Sequence, residues 1–324
     1  MKTVLERLRF AVFEFILIPN RALVFPAFKG NVFRGALGKT FRNLTCAYRN
    51  RDMECKECPI KDKCIYARVF ESHRRGDGSI LGNVENAPHP FVLYTPNIDK
   101  LEYRGNSKIR FFLTLVGEAI EYIPYFILAF EEMGDRGLGN TRTPFNIDAV
   151  LCSGKNIYDA VEKKIDKVFP IFTGTDFLNH RTQTPSIDIQ WVTPGRVKFD
   201  RRFQKFISFE IIMRNLLRRI QLLTALYCGG PERVDFKDLI ALAAGVKSMV
   251  SDIHWEQQVR YSYRQDKTIG LGGVMGTLRF KGNIEPFMPY LKLGEYLHVG
   301  KSTAYGLGKF TVNDVPNPGS TIGN

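Results

Sequence analysis

Two stretches of this sequence hold residues of the right type and spacing for chemistry. The first is Cys46, Cys55, Cys58 and Cys64, spaced C-x8-C-x2-C-x5-C. Four thiolates complete a tetrahedral zinc site, and four also hold a [4Fe–4S] cluster. In a reducing compartment, cysteines this close together serve as metal ligands more often than as disulfides. The plain alternative is a set of reduced, unliganded thiols. Cys152 and Cys228 stand apart and read as core or incidental thiols.

The second stretch is "HVGKSTAYGLGK", residues 298–309. Its GKST segment looks like the end of a nucleotide-binding P-loop, but the spacing is wrong. Gly294 stands one residue too far before Gly300, and the insert "EYLHV" is bulky. A P-loop also follows a strand and opens a helix, whereas here helical spacing precedes and a short strand follows. What remains is His298, Lys301 and Lys309 around Gly300, Gly306 and Gly308, where backbone amides are expected to approach an anion.

The elements that position these residues repeat along the chain. "RFAVFEFIL" (9–17) reads as a buried strand, and "NVFRGALGKTFRNL" (31–44) follows with helical spacing of its apolar residues. "KIRFFLTLVG" (108–117) reads as a strand and "IPYFILAFEEMG" (123–134) as a helix with proline in its first turn. A Gly-Leu-Gly at 137–139 comes next, beside Arg136. The second half gives a strand at 203–212, helices at 214–230 and 235–253, a hairpin over 259–282, and a helix at 284–297. It closes on another Gly-Leu-Gly at 306–308. The expected fold is α+β: two tandem ferredoxin-like, βαββαβ modules over 1–150 and 185–324, with a linker at 151–184 and a Cys-rich insertion at 46–64. The insertion directly follows a helix bearing Arg34, Lys39 and Arg42, whose basic face it would position.

Against 33 acidic residues the chain carries 46 Lys and Arg, a formal charge of +13. That predicts a polyanionic partner or an acidic membrane surface. The N-terminus has charges where a signal peptide needs an apolar region, and the apolar stretch 111–130 contains Glu118, Glu121 and Pro124. A cytoplasmic protein with no membrane partner is expected. Cations interleave with aromatics in "RVKFDRRFQKF" (196–206) and "RYSYRQDK" (260–267). Strand alternation groups Arg260, Ser262 and Arg264 on one side, a pattern suited to phosphate. Phe199, Phe203 and Phe206 read instead as the buried face of a sheet, and Arg214, Arg218 and Arg219 as an exposed helix face.

"RYSYRQDKTIGLGGVMGTLRF" and "LKLGEYLHVGKSTAYGLGKFTV", together with "FRGALGKTFRNL" and the cysteine segment, resemble the CRISPR-associated pre-crRNA-processing endoribonucleases of the RAMP superfamily. The resemblance implies two RNA-recognition modules, a hairpin CRISPR repeat RNA as substrate, and metal-independent cleavage leaving a 2′,3′-cyclic phosphate. It also implies other proteins of a CRISPR interference complex as partners. Such cleavage needs a base, an acid and a cation; His298, Lys301 and His254 are the candidates, ahead of His73, His89 and His180. Many members of that family carry a histidine in or near the first helix, yet none precedes His73 here. Either Tyr48, Lys39 or His298 serves, or the protein binds repeat RNA without cutting it. "CKECPIKDKC" with its upstream Cys is also similar to the iron–sulfur loop of helix-hairpin-helix DNA glycosylases, which favours [4Fe–4S] over zinc.

Overall fold

The computed structural model describes residues 2–48, 53–71, 87–96, 100–230, 234–262 and 267–315. The chain forms two units. One comprises Leu8–Phe172 with Leu222–Glu232, the other Met1–Arg7, Thr173–Gln221 and Arg233–Asn324.

In the first unit, β1 (Arg9–Pro19) lies between β3 (Ile109–Val116) and β4 (Phe145–Cys152), and β2 (Phe91–Tyr94) pairs with the far side of β3. All these pairings are antiparallel, and the order β2-β3-β1-β4 is that of a ferredoxin-like sheet. Two helices cover it: α1 (Lys29–Thr45) and α3 (Ile123–Arg136), with the short α2 (Ile65–Phe70) after the cysteine segment. Helical spacing puts Phe33, Leu37 and Phe41 of α1 on one buried stripe. Phe15 stacks on Phe111 at 4.8 Å and Phe111 meets Phe130 of α3 at 4.7 Å, so aromatic burial joins helices to sheet.

The second unit repeats the order. β5 (Ser186–Gly195) lies between β11 (Gly273–Lys281) and β12 (Phe310–Asp314), and β8 (Lys247–Glu256) forms the other edge. Its helices are α4 (Phe209–Tyr227), α5 (Lys237–Ala244) and α6 (Met288–Leu297). Two small hairpins leave the sheet: β6 (Lys198–Phe199) with β7 (Arg202–Phe203), and β9 (Val259–Ser262) with β10 (Lys267–Gly270). Trp191 fills the core against Phe310, and Phe209 packs on Phe280 and Phe287. The two tandem ferredoxin-like modules are thus present, each with its own core.

Three expectations change. The strand expected at 203–212 is only Arg202–Phe203 before α4 starts at Phe209; the module opens on Ser186–Gly195, which buries Ile187, Ile189 and Trp191. The helix expected at 235–253 stops at Gly245, after which β8 runs along the sheet edge. The stretch 151–184 is built into the two units rather than standing between them. Cys152 ends β4, Lys155–Asn156 pairs back onto it, Phe172–Thr173 pairs with β1, and Thr173 onward belongs to the second unit. Among the described residues, no helix is long and apolar enough to cross a membrane.

Candidate nucleic-acid interface

The glycine-rich loop is fixed to the end of β5 by backbone bonds. Lys301 N–H donates to Arg196 O at 2.9 Å and Gly308 N–H to Pro194 O at 3.0 Å. The Thr193 hydroxyl donates to Gly306 O and accepts from Lys309 N–H, both at 2.8 Å. Gly300 has φ 91°, and a Cβ there would lie 2.4 Å from Arg196 O. At Gly308 it would lie 2.0 Å from Val299 O. The glycines let backbone cross backbone, which corrects the expected amide cradle: the N–H groups of residues 299, 301, 305, 306, 308 and 309 donate inside the unit. What the loop turns outward is the exposed side chain of Lys301.

His298, expected to transfer protons, is buried. It is 2% exposed, and its Nδ1 lies 3.1 Å from Leu307 O, so that nitrogen carries the hydrogen and donates. Burial, then Lys309 and Arg219, hold its pKa well below 6.5. Lys309 is also turned inward, its ammonium donating to Glu295 O. His254 is exposed, 3.9 Å from Glu256, but it stands on edge strand β8 while the loop leads into the opposite edge, β12. Two to three strand spacings, about 10–14 Å, separate them. His298, Lys301 and His254 are therefore not one constellation.

The buried imidazole has a pH consequence. The unfolded chain protonates His298 near its ordinary pKa of about 6.5, and the folded chain resists doing so. The unfolded state then binds more protons, so this contribution to stability is full above about pH 6.5 and is lost as pH falls below it. His298→Gln is expected to flatten the fall in melting temperature between about pH 7 and about pH 5. Parallel profiles for the two proteins would assign that fall to other groups.

The hairpin of β6 and β7 was missed as a surface. Its two-residue turn puts Asp200 at φ 46° and Arg201 at φ 63°, as a tight hairpin turn of this hand requires. The turn carries Phe199 and Phe203 out of the sheet, and Phe206 beyond it is 84% exposed. The expected burial of these three aromatics fails because Ile187, Ile189, Trp191, Phe280 and Phe310 already fill the core. Arg196, 7% exposed, donates to Gly272 O at 2.6 Å and lies 4.3 Å from the Phe203 ring, bracing the hairpin. Arg201, Arg202 and Lys205 are exposed around the aromatics. An open groove of about 820 Å³ beside it is lined by Lys198, Phe199, Arg214, Arg218 and Lys237 together with Asp200, Glu210 and Asp235. Arg219, expected on the exposed face of α4, is buried and donates to Leu297 O.

In the first unit, Lys39 is exposed on α1, and Arg136 is exposed with Glu132 as its ion-pair partner. Arg34 is turned inward instead, its guanidinium 4.5 Å from the Phe70 ring. Arg42 is engaged with the Tyr66 ring at 5.7 Å and with the side chain of Cys46. Arg260 and Ser262 lie on β9, paired with Ile269 and Lys267. Arg264 and His73 lie outside the described residues. His89 packs on Phe91, and His180 Nδ1 lies 3.2 Å from Phe177 O. The four clustered cysteines are free thiols, and among the described residues no three of His, Cys, Asp or Glu form a group that could hold a metal ion as placed.

Residues 8–169 match the N-terminal domain family AF_1859_N, and residues 189–310 match CRISPR-associated endoribonuclease Cas6. The first module belongs to the AF_1859_N domain family, and the second module is similar to the Cas6 endoribonucleases. The Cas6 match takes in Arg196, the β6–β7 hairpin, His254 and Lys301. The chain is 22% identical over 292 residues to an uncharacterized protein of Archaeoglobus fulgidus, covering 89% of this chain and 92% of that one. A Cas6 product complex has a similar fold, with TM-score 0.55 and 14% identity over 94% of this chain and 100% of that one. A partial Cas6–RT–Cas1–Cas2 complex gives 0.53 and 13% over 94% of this chain and 46% of that one. At such identities the likeness is one of fold.

Proposed function

We propose that this protein is an endoribonuclease that processes CRISPR repeat RNA. On this reading a ribose 2′-OH attacks the adjacent phosphate and leaves a 2′,3′-cyclic phosphate, with no metal at the reacting group. The observation that carries it is the match of residues 189–310 to an endoribonuclease family, on the module that presents Lys301 and the basic, aromatic hairpin. Lys301 would stabilise charge developing on the phosphate oxygens. Proton transfer on this reading falls to side chains other than His298. Lys39, Arg136, Arg260, Ser262 and Arg264 would contact phosphates. The fold shared with a Cas6–RT–Cas1–Cas2 assembly supports CRISPR proteins as further partners.

A second reading, a repeat-RNA-binding subunit that does not cut, is favoured by one observation: the imidazole beside the loop is sealed in the core. End-labelled repeat RNA incubated with the protein in EDTA separates the two. A discrete cut with a cyclic-phosphate end supports the enzyme, and binding without product supports the subunit. A cut that appears only on adding magnesium would sink the metal-independent chemistry.

Either reading needs bases held by aromatics. Phe206→Ala is expected to weaken binding of single-stranded repeat RNA by about 1–3 kcal/mol, the range for one stacked base. At 84% exposure the ring contributes little to the core, so the melting temperature should stay put. Anisotropy titration beside a thermal melt checks both, and unchanged affinity would remove the hairpin from the interface.

A further inference from the structure

The cysteine segment is the one chemistry-bearing motif that RNA processing does not absorb, and its backbone is ordered in a particular way. Cys46 caps the C-terminus of α1, with its N–H donating to Arg42 O at 2.9 Å. Cys64 caps the N-terminus of α2. Between them, Cys58 N–H donates to Cys55 O, Lys61 N–H to Cys58 O, and Cys64 N–H to Lys61 O. These successive i→i+3 bonds form an ordered run of turns that carries Cys55, Cys58 and Cys64. The fourth arrives from the helix end.

Little else holds this run of turns. Its described residues, "MECKECPIKDKC" (53–64), offer few apolar side chains, and Ile60 is exposed. A metal centre bound by the four thiols would supply the missing hold, and ligation displaces the thiol protons.

We propose that Cys46, Cys55, Cys58 and Cys64 close around one thiolate-bound metal centre, a zinc ion or an iron–sulfur cluster, that staples the loop between α1 and α2. Four thiols lose their protons and four metal–sulfur bonds form, with no change in sulfur oxidation state. As placed, no three of the four thiols are gathered as ligands, so the metal would draw them in. The proposal does not rest on RNA cleavage.

The test uses the full-length chain, expressed with zinc and iron supplied and purified without oxygen. Elemental analysis should find about one zinc, or about four iron with matching sulfide and visible absorption, per chain. Mass spectrometry after alkylation should show Cys46, Cys55, Cys58 and Cys64 protected until a chelator is added. Cys58→Ser should abolish both signals, whereas Cys228→Ser should leave them intact. Metal-free protein whose four clustered thiols alkylate at once would overturn the proposal. So would metal retained after all four are replaced by serine. Repeat-RNA cleavage measured on the same preparations reports separately on the endonuclease reading.

Discussion

Lys301→Ala is expected to slow single-turnover cleavage of repeat RNA by about 10²–10³-fold, the cost of removing one charge-stabilising donor from a reacting centre. Alanine keeps the bond from residue 301 N–H to Arg196 O, and the side chain it removes is exposed. Binding should weaken far less. The chain's charge of +13 spreads over many cations, and one fewer phosphate contact lowers the salt slope of affinity for a single strand by about 0.7. The signature is therefore a lost rate with dissociation constant and melting temperature little changed, and Lys301→Arg should retain part of the rate. An unchanged rate would move the stabilising cation to another residue. A parallel loss of rate and affinity would make Lys301 a positioning contact.

Much of the fold was legible in the sequence, more in the first module than in the second, and the difference is physical. β1, α1, β3 and α3 each carry a clean apolar period, because both β1 and β3 are central strands and both helices lie flat on them. β8 is an edge strand exposed along most of its length, so "KSMVSDIHWE" lacks the inward alternation that marks a strand and was absorbed into the helix before it. β5, by contrast, shows its period: Ile187, Ile189 and Trp191 alternate inward ahead of Pro194.

Of the site, Lys301 and the glycine loop were visible, but the roles of the glycines were not. Sequence shows that a glycine is present, not whether a ligand or its own backbone needs the space. The fate of His298 could have been read. It follows Leu291 by seven residues and Gly294 by four, which extends the buried stripe of α6 through position 298. Arg34 and Arg42 were seen as a basic face, but no periodicity announces that Phe70 and Tyr66 arrive over them from beyond the cysteine segment. The hairpin aromatics failed for a related reason: alternation around a two-residue turn looks the same whether the strand pair joins the sheet or leaves it.

Gly300→Ala follows from the same backbone crossing and is expected to cost about 2–6 kcal/mol of stability. Two effects add. A side chain at φ 91° is strained, worth about 1–3 kcal/mol. The new Cβ would also stand 2.4 Å from Arg196 O, a backbone atom that cannot rotate aside, and overpacking of this kind costs about 1–3 kcal/mol. The strain is relieved only if the loop lifts from β5, which breaks the bond from Lys301 N–H and displaces that side chain, so cleavage should fall together with stability. Gly35→Ala is the control. It lies exposed in α1 with nothing within 4 Å of its added Cβ, and helix propensity favours the change by up to about 1 kcal/mol. Urea denaturation of both variants measures the contrast. Were Gly300→Ala to stay within about 1 kcal/mol of the parent, the loop would tolerate a wider crossing and the position of Lys301 would not depend on it.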